Sequence, residues 1–209
     1  KQGGVLLLLI VVGYRGEMIR SHFGNGQKWG IDITYLEQTA VPGTGAAALL
    51  AEPFVGGHPF FLGWGDILAA ETEYQRLFSH FSEGSHEGVM LLEPVENPQN
   101  GAAVTLASGR VVSLVEKPAE AIAPWNQAGL SVYTQSIFSA LRTVSLSKRG
   151  ELEFTAAVQR SIDRGASIAG LPMQTPRLHL TRSEDIPIVE RVLAEDPRCA
   201  PSVAQFARD

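Results

Sequence analysis

The sequence predicts one α/β domain over residues 1–209, with a mostly parallel, mixed sheet flanked by helices and a smaller, more β-rich second half. Three observations predict it. Apolar runs of strand length alternate with amphipathic stretches of helix length over residues 1–95, the pattern of strand–helix–strand units. The first run, VLLLLIVV, is apolar throughout, as suits a parallel strand covered on both faces. Beyond Pro94, short strand-like segments bounded by turn residues take over, and no linker-like composition separates the two parts.

The elements follow in order. VLLLLIVVG (5–13) reads as a strand, GEMIRSHF (16–23) as a short helix and IDITYL (31–36) as a strand. GAAALLAEPF (45–54) is a helix, and PFFLGW (59–64) a strand whose residues 59–63 are expected to be buried. ETEYQRLFSHF (71–81) is a helix and GVMLLEPV (88–95) a strand. AAVTLAS (102–108) and RVVSLVE (110–116) flank the turn Ser108-Gly109, a hairpin signal. AGLSVYT (128–134) is a strand, IFSALRTV (137–144) a helix, and LEFTAAVQRSIDR (152–164) a longer helix ended by Gly165. SIAGLPM (167–173) and RLHLT (177–181) are short strands. SEDIPIVERVLAED (183–196) is a helix with Ser183 as its N-cap, and SVAQFARD (202–209) a terminal helix with no clean apolar stripe.

Composition excludes several classes of function. A chain of this size buries roughly 70% of its unfolded surface and needs no disulfide staples. The net charge of −5, without any block of like charge, argues against a nucleic-acid groove. Cys199 is the only cysteine, so there is neither a disulfide framework nor a thiolate zinc cluster, and a reducing, cytoplasmic setting is expected. VLLLLIVV is far shorter than the ~20 residues that span a bilayer. No small-residue cleavage site follows it, so a buried strand suits it better than a signal peptide. The chain begins with Lys1 rather than Met and enters a core strand almost at once, which points to a segment upstream.

Four stretches bear on chemistry. Gly43, Gly45 and Ala48 match a relaxed GxGxxA dinucleotide fingerprint, with the acid Asp66 downstream. QTAVP intervenes before Gly43, whereas that fingerprint places its first glycine in the tight turn; a glycine-rich helix start packed on the sheet accounts for it better. FGNGQKWG (23–30) follows a helix and lacks a Lys-Ser/Thr ending, so it is a solvated connection. The five histidines show no metal spacing. SLVEKPAE (113–120) ends an apolar strand with an acid and a lysine. Those groups form either a surface ion pair or, at the rim of a site, a carboxylate for hydroxyls and a cation for a phosphate.

The order of motifs resembles the sugar-1-phosphate nucleotidyltransferases. It runs GY..E.I, YLEQ....GTG.A, GD after an apolar strand, NG.AV, VEKP, NQAGL and RGE.E. The resemblance spans Val11 to about Asp185 and implies a Rossmann-like, GT-A-like fold. It also implies that an NTP and a sugar-1-phosphate are joined to give an NDP-sugar and pyrophosphate. On it, Gln38, Gly43 and Thr44 would bind the nucleotide, and Asp66 would ligate Mg²⁺, a hard cation that prefers carboxylate oxygen. Gly101, Glu116, Gln127, Gly129 and Glu153 would line the sugar pocket, and Lys117 would hold the sugar phosphate. Asp66 and Lys117 are the expected catalytic residues, no nucleic acid or membrane is involved, and the resemblance allows a homo-oligomer, since the family is often oligomeric.

Three departures accompany the resemblance. The family's glycine-rich signature loop belongs before Lys1, so the chain as it stands is expected to be impaired and its sheet to lack a central strand. A second metal-binding Asp of the family aligns with His179, and imidazole is a poor Mg²⁺ ligand. The family's sugar-contacting Asn falls on Gln127, with Asn126 one residue away. His179 therefore motivates a second reading, a catalytically degenerate relative that binds nucleotide or sugar phosphate and regulates a partner. The GxGxxA match motivates a third, an NAD-dependent dehydrogenase.

Overall fold

The computed structural model describes residues 7–195. The expectations for Val5, Leu6, Asp196, Cys199 and the segment 202–209 lie outside the described residues. In chain order the first elements are β1 (Leu7–Val12), α1 (Gly16–Phe23), β2 (Asp32–Glu37), α2 (Thr44–Val55), β3 (Phe60–Gly63), β4 (Ile67–Leu68), α3 (Glu71–Glu83) and β5 (Gly88–Pro94). There follow β6 (Ala102–Ala107), β7 (Arg110–Glu116), β8 (Trp125–Tyr133), α4 (Ser136–Leu141), α5 (Phe154–Asp163), β9 (Ile168–Pro172), β10 (Leu178–His179) and α6 (Asp185–Glu195). They form two compact units: residues up to Phe60 with Thr134–Gly165, and Phe61–Tyr133 with the residues from Ala166 on. These units are drawn differently from the sequence halves 1–95 and 96–209.

In the first unit, β1 and β2 pair in parallel from Leu7 opposite Asp32 to Val12 opposite Glu37. The parallel pairing was expected; the burial was not. Only Val12 is buried, and Leu7 is 63% exposed, because among the described residues β1 has one ladder neighbour. The core of this unit lies on α4 and α5. Phe154, Ala157, Val158 and Ser161 of α5 recur at helical spacing and are buried, as are Ile137, Phe138 and Leu141 of α4. The Phe138 ring stacks on Phe60 at 5.2 Å.

The second unit is built on a six-stranded sheet in the order β3-β8-β5-β9-β7-β6, with β6 also pairing β8. Here the expectation of a mostly parallel sheet is corrected. β5 and β9 are parallel, whereas β5–β8, β6–β7, β6–β8 and β7–β9 are antiparallel. An apolar run reports burial on both faces and not strand direction: β5 is buried from Gly88 to Leu92, yet runs parallel to β9 and antiparallel to β8. β3 is half-buried rather than buried. The turn Ser108-Gly109 takes positive φ at both residues, 51° and 78°, the geometry of a type I′ hairpin. Ile67, Leu77, Val89, Leu91, Ala128 and Leu130 form the heart of the core, with Phe61, Trp64 and Phe78 packed against it.

Two short features escaped the sequence. β4 is two residues long and pairs antiparallel with β10; no periodicity exists in so short a run. Ser183 is not the N-cap of α6, which begins at Asp185, and the Asp185 carboxylate accepts from the amides of Thr181 and Arg182 at 2.9 and 2.8 Å.

Glu73 in α3 is a fully buried carboxylate held by a complete set of donors. Its Oε1 accepts from the amides of Gln174 and Thr175, both at 2.8 Å, and from the Thr175 hydroxyl at 3.1 Å. Arg76 donates to Oε2 at 2.5 Å and to the Pro172 carbonyl at 3.1 Å. Helix α3 is thereby tied to segment 172–175, which leads into β10. Glu73→Ala should lower stability by about 2–4 kcal/mol, because two part-buried amides, a hydroxyl and a guanidinium lose their acceptor; a urea unfolding midpoint measures it.

Tyr133 is also fully buried, and desolvation raises its phenol well above the usual value near 10. The unfolded state therefore ionises first, and stability falls as pH rises past about 10. Tyr133→Phe should flatten that alkaline limb in denaturation curves recorded between neutral pH and pH ~11.

Candidate active site

In the first unit, the expected nucleotide-binding residues share one stitched loop. The Gln38 amide N–H donates to the Val12 carbonyl at 2.9 Å, at the carboxyl end of β1. Its side-chain Nε2 donates to the carbonyls of Val41 and Gly43 at 2.8 and 2.9 Å. Both amide hydrogens thus brace the loop. Gly43 takes φ 109°, and a Cβ there would lie 2.4 Å from the Leu152 carbonyl oxygen, so its bare backbone serves close approach to that strand-like segment. Gly45 donates to Leu152 O at 2.8 Å, Leu152 to Pro42 O at 2.9 Å, and the Phe154 amide to the Thr44 hydroxyl at 3.2 Å. Glu153 stands within this same stitch and accepts from Arg149 at 3.0 Å.

In the second unit, three expected residues, Gly101, Glu116 and Lys117, gather at the open end of the β6–β7 hairpin. Glu116 lies opposite Ala102, and the Lys117 amide donates to the Gly101 carbonyl at 2.9 Å. Lys117 holds φ 41°, a conformation that a non-glycine residue keeps only when its surroundings enforce it. The amide at this corner is Asn126: its Nδ2 would lie 2.6 Å from a Cβ on Gly101. Gln127 is buried in β8, and its Nε2 has no hydrogen-bond partner among the described residues. One residue of strand register separates the two, and it puts them on opposite faces.

Asp66 follows β3 and precedes β4. Its carboxylate Oδ2 accepts from His179 Nε2 at 2.8 Å, across 113 residues of sequence. The backbone holds the two together: His179 pairs with Ile67, and the Leu180 amide donates to the Asp66 carbonyl at 2.9 Å. Both side chains remain about half exposed, 43% for His179 and 48% for Asp66.

Gly129 supports this corner from below. Between the β5–β8 pairs Met90–Ser131 and Leu92–Gln127 stands one residue of β5, against three of β8, a bulge of the kind that re-aims side chains near sites. Gly129 sits in it with φ 80°, and a Cβ would come within 2.2 Å of Trp64 Cδ1. The carbonyls freed by the bulge are both satisfied: Gly129 O accepts from the Trp64 amide at 3.0 Å and Ala128 O from Arg177 at 3.2 Å. Arg177 also pairs with Glu93 at 2.6 Å. Trp64 and Arg177 were not foreseen; the only signal for them was adjacency to Asp66 and to His179. Among the described residues, no group of three or more His, Cys, Asp or Glu stands ready to hold a metal ion.

Comparison with known proteins completes the picture. A family model described as "Nucleotidyl transferase" matches residues 2–174. The chain is 32% identical over 200 residues to the low-salt glycan biosynthesis nucleotidyltransferase Agl11 of Haloferax volcanii, covering 94% of this chain and 55% of that protein. It is 34% identical over 192 residues to a glucose-1-phosphate thymidylyltransferase of Streptomyces antibioticus, covering 90% and 53%. The chain thus spans about half the length of these curated relatives. Among solved structures, UDP-glucose pyrophosphorylase complexed with UDP-glucose superposes with a TM-score of 0.80 at 18% identity, covering 93% of this chain and 82% of that one; this is a likeness of fold.

The bulge yields a direct prediction. Gly129→Ala should cost about 2 kcal/mol or more, since it adds a side chain at positive φ and displaces the Trp64 ring. Chemical unfolding measures the loss, and a changed near-ultraviolet circular dichroism spectrum reports the moved indole.

Proposed function

The chain belongs to the nucleotidyl transferase family, and from that premise we propose that it joins an NTP to a sugar-1-phosphate, releasing pyrophosphate. The observation that best supports this reading is the meeting of Asp66 and His179 at 2.8 Å. They are the two positions that the motif order aligns with metal-binding acids of the family. In the proposed step, a phosphate oxygen of the sugar-1-phosphate forms a bond to the α-phosphorus of the NTP. The bond from that phosphorus to the bridging oxygen breaks, and pyrophosphate leaves with the electron pair. No covalent intermediate with the protein is needed, so positioning and charge neutralisation carry the catalysis.

The residues take the following parts. Gln38 Oε1 accepts from a ring N–H of the base, which suits the imide of uracil or thymine; glucose-1-phosphate is the sugar phosphate we favour, by analogy with the Streptomyces relative's name. Thr44 shapes the loop around the nucleotide. Lys117 holds the sugar phosphate, Glu116 accepts sugar hydroxyls, and Gly101 with Asn126 forms the floor beside them. Gln127 acts from within β8 rather than by contact, Gly129 supports the Asp66 corner, and Glu153 braces the nucleotide loop. A GT-A-like, Rossmann-like arrangement and a cytoplasmic, homo-oligomeric enzyme are part of the same reading. Among the described residues no helix is long and apolar enough to cross a membrane, and the net charge of −5 argues against a nucleic-acid partner.

Mg²⁺ is the cation the resemblance implies, and Asp66 offers it one oxygen ligand. The second position offers an imidazole nitrogen, which a hard cation does not favour. A two-residue Mg²⁺ site does not fit this donor set, and no step above is routed through it. His179 also sustains the second reading, a relative that binds nucleotide or sugar phosphate without turnover. The dehydrogenase reading is set aside: six residues separate β2 from α2, and a dinucleotide fold needs its first glycine in the turn itself.

Pyrophosphate release with UTP or dTTP and a panel of sugar-1-phosphates tests the proposal. Release should require both substrates and vanish in Asp66→Ala. Lys117→Ala should lower kcat/KM for the sugar phosphate by roughly 10–100-fold, the worth of a charge-assisted contact. Binding of both substrates without release would select the degenerate relative, and binding of neither by the folded chain would sink both readings.

A further inference from the structure

We propose that Asp66 and His179 form a two-residue site for a borderline divalent transition cation, of the Ni²⁺, Co²⁺ or Zn²⁺ type, in preference to Mg²⁺. The donor set is one carboxylate oxygen and one imidazole nitrogen. Imidazole selects cations of this class, whereas Mg²⁺ holds to oxygen. Two neighbouring ligands of one metal, each bonded at about 2.1 Å, stand roughly 3 Å apart; Asp66 Oδ2 and His179 Nε2 stand 2.8 Å apart. The donor atoms therefore stand at nearly the separation of two ligands of one ion; to share it the imidazole gives up its Nε2 proton and turns so that the nitrogen faces the ion instead of the carboxylate oxygen.

The spacing is built into the backbone. Leu180 N–H donates to Asp66 O, and His179 pairs with Ile67, so Asp66 is tied to the end of the short ladder that contains His179. Segment 174–175 is anchored on buried Glu73, and Arg177 is anchored on Glu93 and the Ala128 carbonyl. An ordinary surface ion pair joins long side chains that can part freely; this one joins two short side chains on tethered strands. Exposure of nearly half of each side chain leaves the remaining coordination positions open to water and other ligands. In the transferase reading, phosphate oxygens of the nucleotide fill them. That last part rests on the proposed function, whereas the pair of protein ligands does not.

Calorimetric titration of the chain with Ni²⁺ alone, and separately with Mg²⁺ alone, tests the inference. Wild type should bind one Ni²⁺ at least tenfold more tightly than His179→Ala or Asp66→Asn, with folding of each variant checked by circular dichroism. His179→Asp should lower the ratio of Ni²⁺ to Mg²⁺ affinity at least tenfold. The chain has four further histidines beside His179, so Ni²⁺ binding that survives His179→Ala lies elsewhere and overturns the proposal. Absence of saturable binding at millimolar Ni²⁺ overturns it too, as does an unchanged affinity ratio in His179→Asp. Repeating the titration with UTP separates the two readings. If the site binds Ni²⁺ and UTP leaves the affinity unchanged, the site stands and its assignment to phosphate transfer fails.

Discussion

The corner that carries Asp66 depends on one steric constraint: position 129 has no room for a side chain. At φ 80° and 2.2 Å from the Trp64 ring, a Cβ is excluded twice over. The absence of that atom lets the indole lie on β8, and the amide of Trp64 then takes the Gly129 carbonyl. Two residues later comes Asp66, so its carboxylate stands where the strand bulge and the tryptophan put it. The same bulge frees the Ala128 carbonyl for Arg177, two residues before His179. One irregularity in a central, buried strand thus orients both members of the Asp66–His179 pair.

Burial of charge does the rest. Glu73 and Arg177 hold the segment between β9 and β10 from two sides. Glu73 does so through amides of residues 174 and 175 and Arg177 through Glu93 and β8. A buried carboxylate that accepts on both oxygens, three times on Oε1 and once on Oε2, is a rigid anchor, because freeing a donor leaves it unsatisfied in a low-dielectric interior. The segment has little regular structure of its own, since β10 is only two residues long. Its position comes from these side-chain bonds and not from a long ladder.

Much of this was legible in the chain, for reasons that can be named. α1 and β7 begin and end where Gly16, Phe23, Arg110 and Glu116 were read, since a periodic apolar pattern and flanking turn residues act locally. The hairpin turn at Ser108-Gly109 was readable because its geometry is set by two residues. Strand direction in the second unit was not: a strand covered on both faces is apolar whichever way its neighbours run, and β5, parallel to β9 and antiparallel to β8, is the example. Nor could the sequence choose between Asn126 and Gln127. A shift of one residue moves a side chain to the other face of a strand, and only the pairing of Ala103 with Asn126 decides it.

What the sequence determined by itself was the alternation of elements, the family of the fold, and the residue types at each chemical position, including an imidazole at 179. These are properties of residue identity and local order, which need no partner. What only the tertiary structure decided was which groups meet. Gln38 turns both amide hydrogens onto its own loop, Asn126 and not Gln127 faces Gly101, and His179 crosses 113 residues to bond Asp66. Those outcomes follow from ladder register, a bulge and buried acceptors, each of which arises between segments distant in the chain.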